Sequence, residues 1–317
     1  MSGRLPADSA DLQRARRFRV GLAQQRGPGW QHEIVQYENR RTRFRRLAEV
    51  ANVPRMVRQA QLLLLSSTLI PAYPALRRMW QLSRYTLRRP VTHAEDFTGF
   101  ARLPSRPGIF LDVGASSGTS AMSFRVFNRR NPILSIEPNA ILEGELRFLR
   151  RVVPRFDYMI AAAGDRPGTM TLFVPFYRGV PLTAYSSPRR EDLYEVGGGL
   201  WDQFGERIRT PHFHVEEVTA RVIRLDDLAL TPAFVKIDVE GGELGVLRGL
   251  VDTIARTRPV LLIERSRDFE QIRELLGAMG YVPYTYRRDV ARFAPFGSQP
   301  SGPNAFFMQS DTVPWNA

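Results

Sequence analysis

The chain has 317 residues, no cysteine, 43% hydrophobic residues and a formal net charge of +13. This length and apolar content allow a large buried core in one or two domains, which excludes fibrous and wholly disordered proteins. The lack of cysteine excludes a thiolate nucleophile, a cysteine-ligated zinc site and an iron–sulfur cluster. Residues 1–11 lack a signal-peptide pattern, and the longest apolar stretch, 62–73, is too short to span a bilayer, so we expect a cytoplasmic protein.

Residues 1–95 form a basic region that differs from the rest of the chain. They contain 18 arginines and 6 acidic residues, whereas residues 96–317 contain 27 basic and 26 acidic residues. The pattern predicts helices, among them an apolar helix or helix pair over residues 53–73 that Pro71 interrupts. We therefore predict a basic helical accessory region, 1–95, before a second domain, 96–317.

The role of this accessory region stays open between two alternatives. Its apolar run between basic residues suits an anionic membrane surface, with peripheral contact through residues 53–90 at the inner face of the membrane. The same run suits packing on the following domain or on a second subunit of a homo-oligomer. No zinc-finger spacing, recognition helix or basic strand with interleaved aromatics accompanies the charge, so we expect no nucleic-acid partner.

Short apolar runs alternate with helical patterns from Gly108 onward. Strands are predicted over residues 109–113, 133–136, 158–163, 234–239 and 260–263, and most of these are apolar on both faces. Such strands separated by helices predict an α/β fold with a mostly parallel, doubly wound sheet. Residues 175–215 interrupt the rhythm with glycine, aromatic and charged residues, a composition typical of a lid or binding loop, or of a disordered segment.

The first predicted strand ends in a glycine-containing turn. Asp112 precedes Gly114 and Gly118, and a helix is predicted over residues 119–127. The glycines let the backbone approach a ligand, with the helix N-terminus behind it. The spacing differs from the Gly-x-Gly-x-x-Gly of dinucleotide-binding proteins, and an ordinary strand-to-helix turn explains it equally well.

Two carboxylates near this turn indicate the class of cofactor. Glu137 ends the second predicted strand, about 20 residues beyond the glycines, where an acidic side chain accepts both hydroxyls of a ribose. Its alternative role is to cap the helix that follows. Asp112 disfavours a diphosphate and suits a cation such as the ammonium and sulfonium of S-adenosylmethionine, whether it contacts the cation or only fixes the turn. This preference argues against a nucleotide-linked oxidoreductase.

The fourth predicted strand contains three charged residues and is followed by a predicted helical run, 244–254. A period of two places Lys236, Asp238 and Glu240 on one side of it. Charged side chains on an otherwise apolar strand need partners or a function, since unpaired burial costs several kcal/mol. An internal ion pair explains Lys236 as well as a functional role does, whereas Asp238 lies nearer the ligand crevice and is the stronger candidate.

Together these motifs resemble the FkbM family of S-adenosylmethionine-dependent methyltransferases, over residues 108–309. The matching segments are Asp112-Val113-Gly114-Ala115 with Gly118, Glu137-Pro138-Asn139, Ala163-Gly164-Asp165, Leu225-Asp226-Asp227-Leu228, Val235-Lys236-Ile237-Asp238-Val239-Glu240-Gly241 with Glu243, Val246-Leu247 with Gly249, and 259–264. The run around Lys236, combined with the Leu-Asp-Asp-Leu segment upstream, is the specific part, whereas the glycine turn is generic to methyltransferases.

The resemblance implies a Rossmann-like class I methyltransferase that transfers a methyl group from S-adenosylmethionine to a hydroxyl. The implied acceptor is a small molecule or glycolipid: a sugar, a glycolipid or a polyketide-type natural product. The implied cofactor-binding residues are Asp112, Gly114, Ala115, Ser116, Gly118, Glu137, Pro138, Asn139, Ala163 and Asp238. Of these, the turn residues correspond to the methionine end, Glu137 to the ribose, Ala163 to the adenine and Asp238 to the transferred methyl group.

A hydroxyl acceptor needs a base or a metal, because its pKa lies far above neutrality. The candidate catalytic residues are Asp238, Glu240, His212 and His214. A divalent metal held by Asp238 and Glu264, as the similarity to catechol-type O-methyltransferases suggests, is not favoured, since two carboxylates are a small ligand set. The alternative function is a non-catalytic or nucleic-acid-binding protein that keeps this fold and uses the basic N-terminal helices.

The aromatic residues of the 175–215 segment have two interpretations. They are Tyr177, Tyr185, Tyr194, Trp201, Phe204 and Phe213. Aromatic faces stack on sugars and rings, and glycines supply hinges, so the segment suits an acceptor-binding lid. In the second interpretation the same rings are core contacts of an ordered excursion.

Overall fold

The computed structural model describes residues 92, 94–195, 199–297, 303–309 and 311. The chain divides into two compact units, Met1–Arg77 and Arg78–Ala317, and all described residues belong to the second. The predicted helices of the accessory region lie outside the described residues, and both interpretations of that region remain predictions. No helix in the described part of the chain is long and apolar enough to cross a membrane.

The described residues contain twelve strands and six α-helices. The strands are β1 (Ile109–Val113), β2 (Ile133–Glu137), β3 (Phe156–Ile160), β4 (Ala162–Ala163), β5 (Gly168–Tyr177), β6 (Val180–Pro181), β7 (Phe213–Ile223), β8 (Pro232–Ile237), β9 (Val260–Glu264), β10 (Tyr281–Arg287), β11 (Arg292–Pro295) and β12 (Asn304–Gln309). The helices are α1 (Thr119–Phe127), α2 (Glu143–Val152), α3 (Gly199–Phe204), α4 (Glu243–Arg248), α5 (Val251–Thr257) and α6 (Phe269–Ala278). Short 3₁₀ helices cover Glu95–Arg102, Ala140–Leu142, Thr183–Tyr185, Glu191–Tyr194, Gly205–Arg209 and Leu225–Leu228.

An eight-stranded sheet in the order β11-β10-β12-β9-β8-β1-β2-β3 forms the centre of the domain. Strands β3, β2, β1, β8 and β9 are parallel, whereas β12, β10 and β11 pair antiparallel at one edge. From β1 the chain adds β2 and β3 towards one edge of the sheet, and from β8 it adds β9 towards the other edge. The predicted Rossmann-like, mostly parallel sheet is therefore confirmed, and its switch point lies between β1 and β8.

A cluster of phenylalanines closes one face of this sheet. Phe100, on the 3₁₀ helix Glu95–Arg102, has ring centroids at 5.1–5.8 Å from those of Phe110, Phe124, Phe234 and Phe306. All five rings are buried. Burial of each such side chain contributes roughly 1.5–3 kcal/mol. This packing holds β1, β8 and β12 in place below the edge where the site lies.

A second sheet, in the order β4-β7-β5-β6, follows β3. Strands β5 and β7 pair antiparallel from Gly168 opposite Val222 to Tyr177 opposite Phe213. The described part of the 175–215 segment is therefore an ordered excursion at the far end of this hairpin. Tyr177 and Phe204 are buried in it, 5.6 Å apart between ring centroids, as the core-contact interpretation expects.

Three predicted elements have different bounds in the structure. The predicted strand 158–163 is split at Ala161 into β3 of the first sheet and β4 of the second. The predicted strand 234–239 ends at Ile237, because the chain turns through Glu240 at φ 58° and Gly241 at φ 98°. The helical run after Glu243 is two helices, α4 and α5, on either side of Gly249.

Candidate active site

The turn between β1 and α1 requires glycine at both predicted positions. Gly114 has a φ of +76° and Gly118 a φ of +80°. A Cβ atom at Gly114 would lie 1.7 Å from the carbonyl oxygen of Asp238, and one at Gly118 would lie 2.2 Å from Cδ1 of Leu149. The turn is therefore pressed against the loop that follows β8 and against α2.

Asp112 lies beneath this turn, fully buried. Its carboxylate accepts hydrogen bonds from Ser120 Oγ at 2.7 and 2.8 Å and from Ser135 Oγ at 3.0 Å. Burial raises the pKa of Asp112, and the charge of Lys236 and the two hydroxyls partly offset the increase. These contacts fix the turn to α1 and β2, which corresponds to the second of the two roles predicted for Asp112.

Glu137 joins the glycine turn to the loop after β2. Its Oε2 accepts a 2.7 Å hydrogen bond from the Ser116 amide, and its Oε1 accepts one of 2.9 Å from the Asn139 amide. Burial raises the pKa of Glu137 to about 7, although these two bonds and Lys236 lower it. Each carboxylate oxygen keeps a further lone pair, and the contact to a ribose stays a prediction.

The remaining predicted cofactor residues surround these two carboxylates. The Ala115 amide donates to Ile136 O at 3.1 Å, and Pro138 is half-buried next to Glu137. Asn139 is buried, and its Oδ1 accepts a 3.1 Å hydrogen bond from the Ile141 amide at the start of the Ala140–Leu142 helix. Ala163 belongs to β4 of the second sheet, where it pairs with Ile223.

Lys236 connects the two sides of the switch point. The residue is buried, with 3% of its surface exposed, and its ammonium donates a 2.8 Å hydrogen bond to the carbonyl oxygen of Gly114. The same Nζ lies 3.1 Å from Asp238 Oδ2 and 3.9 Å from Asp112 Oδ1. Burial lowers the pKa of Lys236, but the two aspartates outweigh it and the pKa is raised, so the ammonium stays charged.

Asp238 and Glu264 form a carboxyl pair at the ends of the adjacent strands β8 and β9. Burial, the charge of Asp238 and a hydrogen bond to Asp238 raise the pKa of Glu264 to about 9. At neutral pH Glu264 therefore holds a proton that it shares with the Asp238 carboxylate. Asp238 keeps 31% of its side chain exposed, so it faces the crevice while held from two sides.

Glu240 and Glu243 lie in the turn after β8. Glu240 is at the exposed mouth of the crevice, where desolvation and the charges of Asp238 and Glu243 raise its pKa to about 7. Glu243 is fully buried, and its Oε1 accepts hydrogen bonds from the amides of Val239 and Gly241 at 3.0 and 3.1 Å. Glu243 shapes this turn, a role that its place at the start of a helix after a Gly-Gly pair could have indicated.

The two predicted histidines are exposed on the β5–β7 hairpin. His214 stacks on Phe176 at 5.1 Å between centroids, and its Nε2 lies 3.3 Å from Glu216 Oε1. The His212 ring approaches Tyr177 edge-on at 6.5 Å. These contacts of the two histidines lie within the β5–β7 hairpin, whereas Asp238 and Glu264 belong to the first sheet.

Residues 183–194, which we name the crossing segment, link the two flanks of the site. Ser186 Oγ lies 3.4 Å from Nδ2 of Asn139, after β2. At the other end, the charge of Asp192 contributes to the raised pKa of Glu240, after β8. The crossing segment therefore contacts the loop after β2, and the charge of its Asp192 acts on Glu240 in the turn after β8.

No group of three or more histidine or acidic side chains in the described residues is placed to hold a metal ion. The divalent metal considered from the sequence therefore has only Asp238 and Glu264, and these two hydrogen-bond each other.

Comparison with known proteins identifies the family. The model of the methyltransferase FkbM domain matches residues 112–283, more than half of the chain, including the end of β1 and all of β2, β8 and β9. The chain belongs to the FkbM methyltransferase family. The predicted resemblance is thereby confirmed. No curated protein sequence matches this FkbM methyltransferase chain.

Solved methyltransferases are structurally similar to this FkbM family member at low sequence identity. One is methyltransferase FkbM from Methylobacillus flagellatus KT, with 19% identity and a TM-score of 0.40 over 66% of this chain and 47% of that chain. Precorrin-6y C5,15-methyltransferase from Geobacter metallireducens GS-15 has 15% identity and a TM-score of 0.33 over 68% and 90% of the two chains. A TehB-like SAM-dependent methyltransferase from Corynebacterium glutamicum has 12% sequence identity and a TM-score of 0.33, over 75% of this chain and 99% of that chain. The chain thus spans about half the length of the Methylobacillus protein.

Proposed function

We propose that this protein is an S-adenosylmethionine-dependent O-methyltransferase that acts on a hydroxyl of a sugar, glycolipid or polyketide-type natural product. The observation that supports this function best is the excess of carboxyl groups around a single ammonium at the switch point. The carboxyl groups are Asp112, Glu137, Asp238, Glu240 and Glu264, and the ammonium is Lys236. Even with Glu264 protonated and with Glu137 and Glu240 partly protonated at neutral pH, this crevice favours a cation and disfavours a diphosphate.

The residues at this edge fit the cofactor. Between Gly114 and Gly118 the turn carries only the small side chains of Ala115, Ser116 and Ser117, and Glu137 reaches the same turn through the Ser116 amide. When bound, S-adenosylmethionine supplies an electrophilic methyl group on a positively charged sulfur. The turn and Glu137 would hold its methionine and ribose portions, and the acidic surroundings compensate its positive charge.

Asp238 is the side chain that we assign as the proton acceptor. An alcohol loses its proton as the new bond to oxygen forms, so a carboxylate must stand beside it. Lys236 and Glu264 both hold Asp238, which orients it and keeps it ionised, and its exposed fraction leaves room for a hydroxyl. Glu240 and the histidines lack this combination of fixed orientation and position at the strand end.

The crossing segment is the part of the 175–215 insertion that we assign as the acceptor-side wall. It contacts Asn139 after β2, and the charge of its Asp192 acts on Glu240 after β8. Tyr194 in it is 44% exposed and meets Phe213 of β7 edge-on, whereas the buried Phe204 packs against Tyr185 of the segment. An exposed ring in this segment suits a sugar or ring acceptor.

Calorimetric titration of the purified protein with S-adenosylmethionine, S-adenosylhomocysteine and NAD tests the cofactor. We expect heat of binding for the first two and none for NAD. Extracts supplied with labelled S-adenosylmethionine are then searched by mass spectrometry for a product heavier by one methyl substitution. Binding of NAD alone would contradict the proposal, and salt-dependent oligonucleotide binding without donor affinity would support the nucleic-acid-binding alternative.

A further inference from the structure

Lys236 holds together the two loops that form the site. Its Nζ donates to Gly114 O at 2.8 Å in the loop after β1, and contacts Asp238 Oδ2 at 3.1 Å in the loop after β8. The third oxygen near it belongs to Asp112, at 3.9 Å. One buried ammonium therefore connects the predicted donor-binding turn with the assigned proton acceptor.

The backbone of these two loops is also in direct contact. The Asp238 amide donates to Val113 O at 3.2 Å, and the Asp238 carbonyl oxygen occupies the space that a Cβ of Gly114 would need. A change at Lys236 is therefore transmitted to both loops, and the separation between donor turn and carboxylate depends on its side chain.

Composition supports a specific need for lysine at this position. The chain has 45 basic residues, and Lys236 is the only lysine among them. A planar guanidinium fits poorly where one nitrogen must reach oxygens from both strands in a buried space, whereas a compact ammonium does so. Arginine serves at every other basic position, so the exception coincides with the cation that is buried beside Asp112 between β1 and β8.

We propose that Lys236 is a positioning residue that fixes Asp238 against the Gly114 turn and sets how strongly the site prefers the sulfonium donor over its product, which lacks the sulfonium charge. The proposal rests on the proposed function. Lys236 neutralises part of the negative charge at this edge, so its removal makes the crevice more attractive to a cation. The same removal acts less on S-adenosylhomocysteine, which keeps the ammonium and carboxylate of the donor but lacks the sulfonium charge.

The test compares binding of S-adenosylmethionine and S-adenosylhomocysteine by calorimetry, which needs no knowledge of the acceptor. In Lys236→Met the ratio of the product Kd to the donor Kd should rise about fivefold, because one positive charge near the sulfonium is lost. The matched control is Arg273→Met, which removes one exposed charge paired with Glu270 on α6. The control should leave the ratio unchanged.

A double variant separates the effect of the lost charge on binding from its effect on folding. In Lys236→Met/Asp238→Asn the ammonium and its partner are both neutral, so the ratio should return to within about twofold of the wild-type value. If Lys236→Met alone does not fold, the double variant is compared with Asp238→Asn, and the same fivefold increase is expected. An unchanged ratio in folded Lys236→Met, or no difference between the double variant and Asp238→Asn, overturns the proposal. Wild-type protein that binds neither compound overturns the proposed function itself.

Discussion

Two carboxyl groups within hydrogen-bonding distance cannot both ionise at neutral pH, and this rule governs the chemistry at the strand ends. Glu264 retains its proton, whereas Asp238 carries the charge because Lys236 lies 3.1 Å from it. The pair presents one oriented carboxylate to the crevice. This arrangement assigns different roles to Asp238, which the sequence named as a catalytic candidate, and to Glu264, which it named as a partner of Asp238 in a metal pair.

Asp238→Asn tests the assignment of the proton acceptor. The amide retains the size of the side chain but cannot take a proton, so we expect kcat to fall about 100-fold or more. Donor affinity, measured by calorimetry, should stay within about fivefold, because the glycine turn and Glu137 are untouched. Asp252→Asn makes the same chemical change at an exposed carboxylate and should leave both quantities unchanged. Full turnover in Asp238→Asn would remove it from the mechanism.

Gly114→Ala and Gly179→Ala separate backbone strain from steric overlap. Both glycines have a φ of +76°, so alanine at either position costs about 1–2 kcal/mol. Only Gly114 has a backbone oxygen 1.7 Å from the new Cβ, whereas Gly179 has nothing within 4 Å. We expect Gly114→Ala to lower the free energy of unfolding by about 2 kcal/mol more than Gly179→Ala, measured by urea denaturation. Equal losses would contradict the close contact between the loops.

Glu264 makes the stability of the fold depend on pH. Its pKa is about 9 in the folded state and 4.5 for an isolated side chain, so the folded state binds the proton more tightly. The resulting stability is complete below the unfolded pKa and is lost as pH rises towards 9. The Tm should therefore fall across this range, and less steeply in Glu264→Gln. Glu270→Gln, at an exposed position, should keep the wild-type slope, and a wild-type slope in Glu264→Gln would refute the raised pKa.

At the scale of elements, the crossing segment is held by its own ion pair. Arg189 Nη2 lies 2.6 Å from Asp192 Oδ1, and Ser187 Oγ donates to Asp192 Oδ2 at 2.8 Å. Ser187 in turn bridges to Phe173 of β5 through two backbone hydrogen bonds. Asp192 therefore fixes the shape of the segment where it approaches Glu240.

Asp192→Ala should loosen the crossing segment without unfolding it. We expect the KM for the acceptor to rise about three- to tenfold and the donor Kd to stay unchanged, because we assign the segment to the acceptor-side wall. Asp289→Ala removes a similar exposed ion pair, with Arg287 in the β10–β11 turn, and serves as the control. A weaker donor affinity in Asp192→Ala would place the segment on the cofactor instead.

The ends of β3 and β8 show why element bounds were only partly predictable. The run 158–163 is continuously apolar, and nothing in that pattern shows that Ala162 pairs with Val222 of a different sheet. Similarly, Val239 continues the alternation of β8, but the chain has already turned to bring Glu243 under the amides of Val239 and Gly241. Local periodicity reports burial, whereas strand bounds depend on partners that are distant in sequence.

At the scale of the whole molecule, charge is distributed unequally between the two edges of the sheet. The segments before four of the five parallel strands, 103–108, 128–132, 153–155 and 257–259, contain no carboxylate and hold Arg106, Arg129, Arg130, Arg155 and Arg258, whereas Asp226 and Asp227 precede β8. The opposite edge holds Asp238, Glu240 and Glu264, with Arg265 and Arg267 directly after β9. The near-zero net charge of residues 96–317 therefore hides an uneven distribution of charge, and we propose that the acidic strand ends attract the cationic donor.

A chain that begins at Arg78 tests whether the second compact unit is self-sufficient. All described residues assigned to the site lie between Asp112 and Glu264, inside Arg78–Ala317. We expect this shorter chain to melt cooperatively by circular dichroism and to bind S-adenosylmethionine within about threefold of the full-length affinity. Loss of donor binding by a folded Arg78–Ala317 chain would show that residues 1–77 contribute to the site.

The sequence by itself determined the parallel α/β sheet, the glycine turn, the family and most of the acidic residues at the strand ends. These features depend on local periodicity, on positive φ angles and on a motif contiguous along the chain. Only the tertiary structure decided which of these residues act on one another: Lys236 with Gly114, Glu264 with Asp238, and the crossing segment with Asn139. Such contacts join residues between 26 and 122 positions apart, and hydrogen bonds at that separation depend on strand order, which hydrophobic pattern alone does not encode.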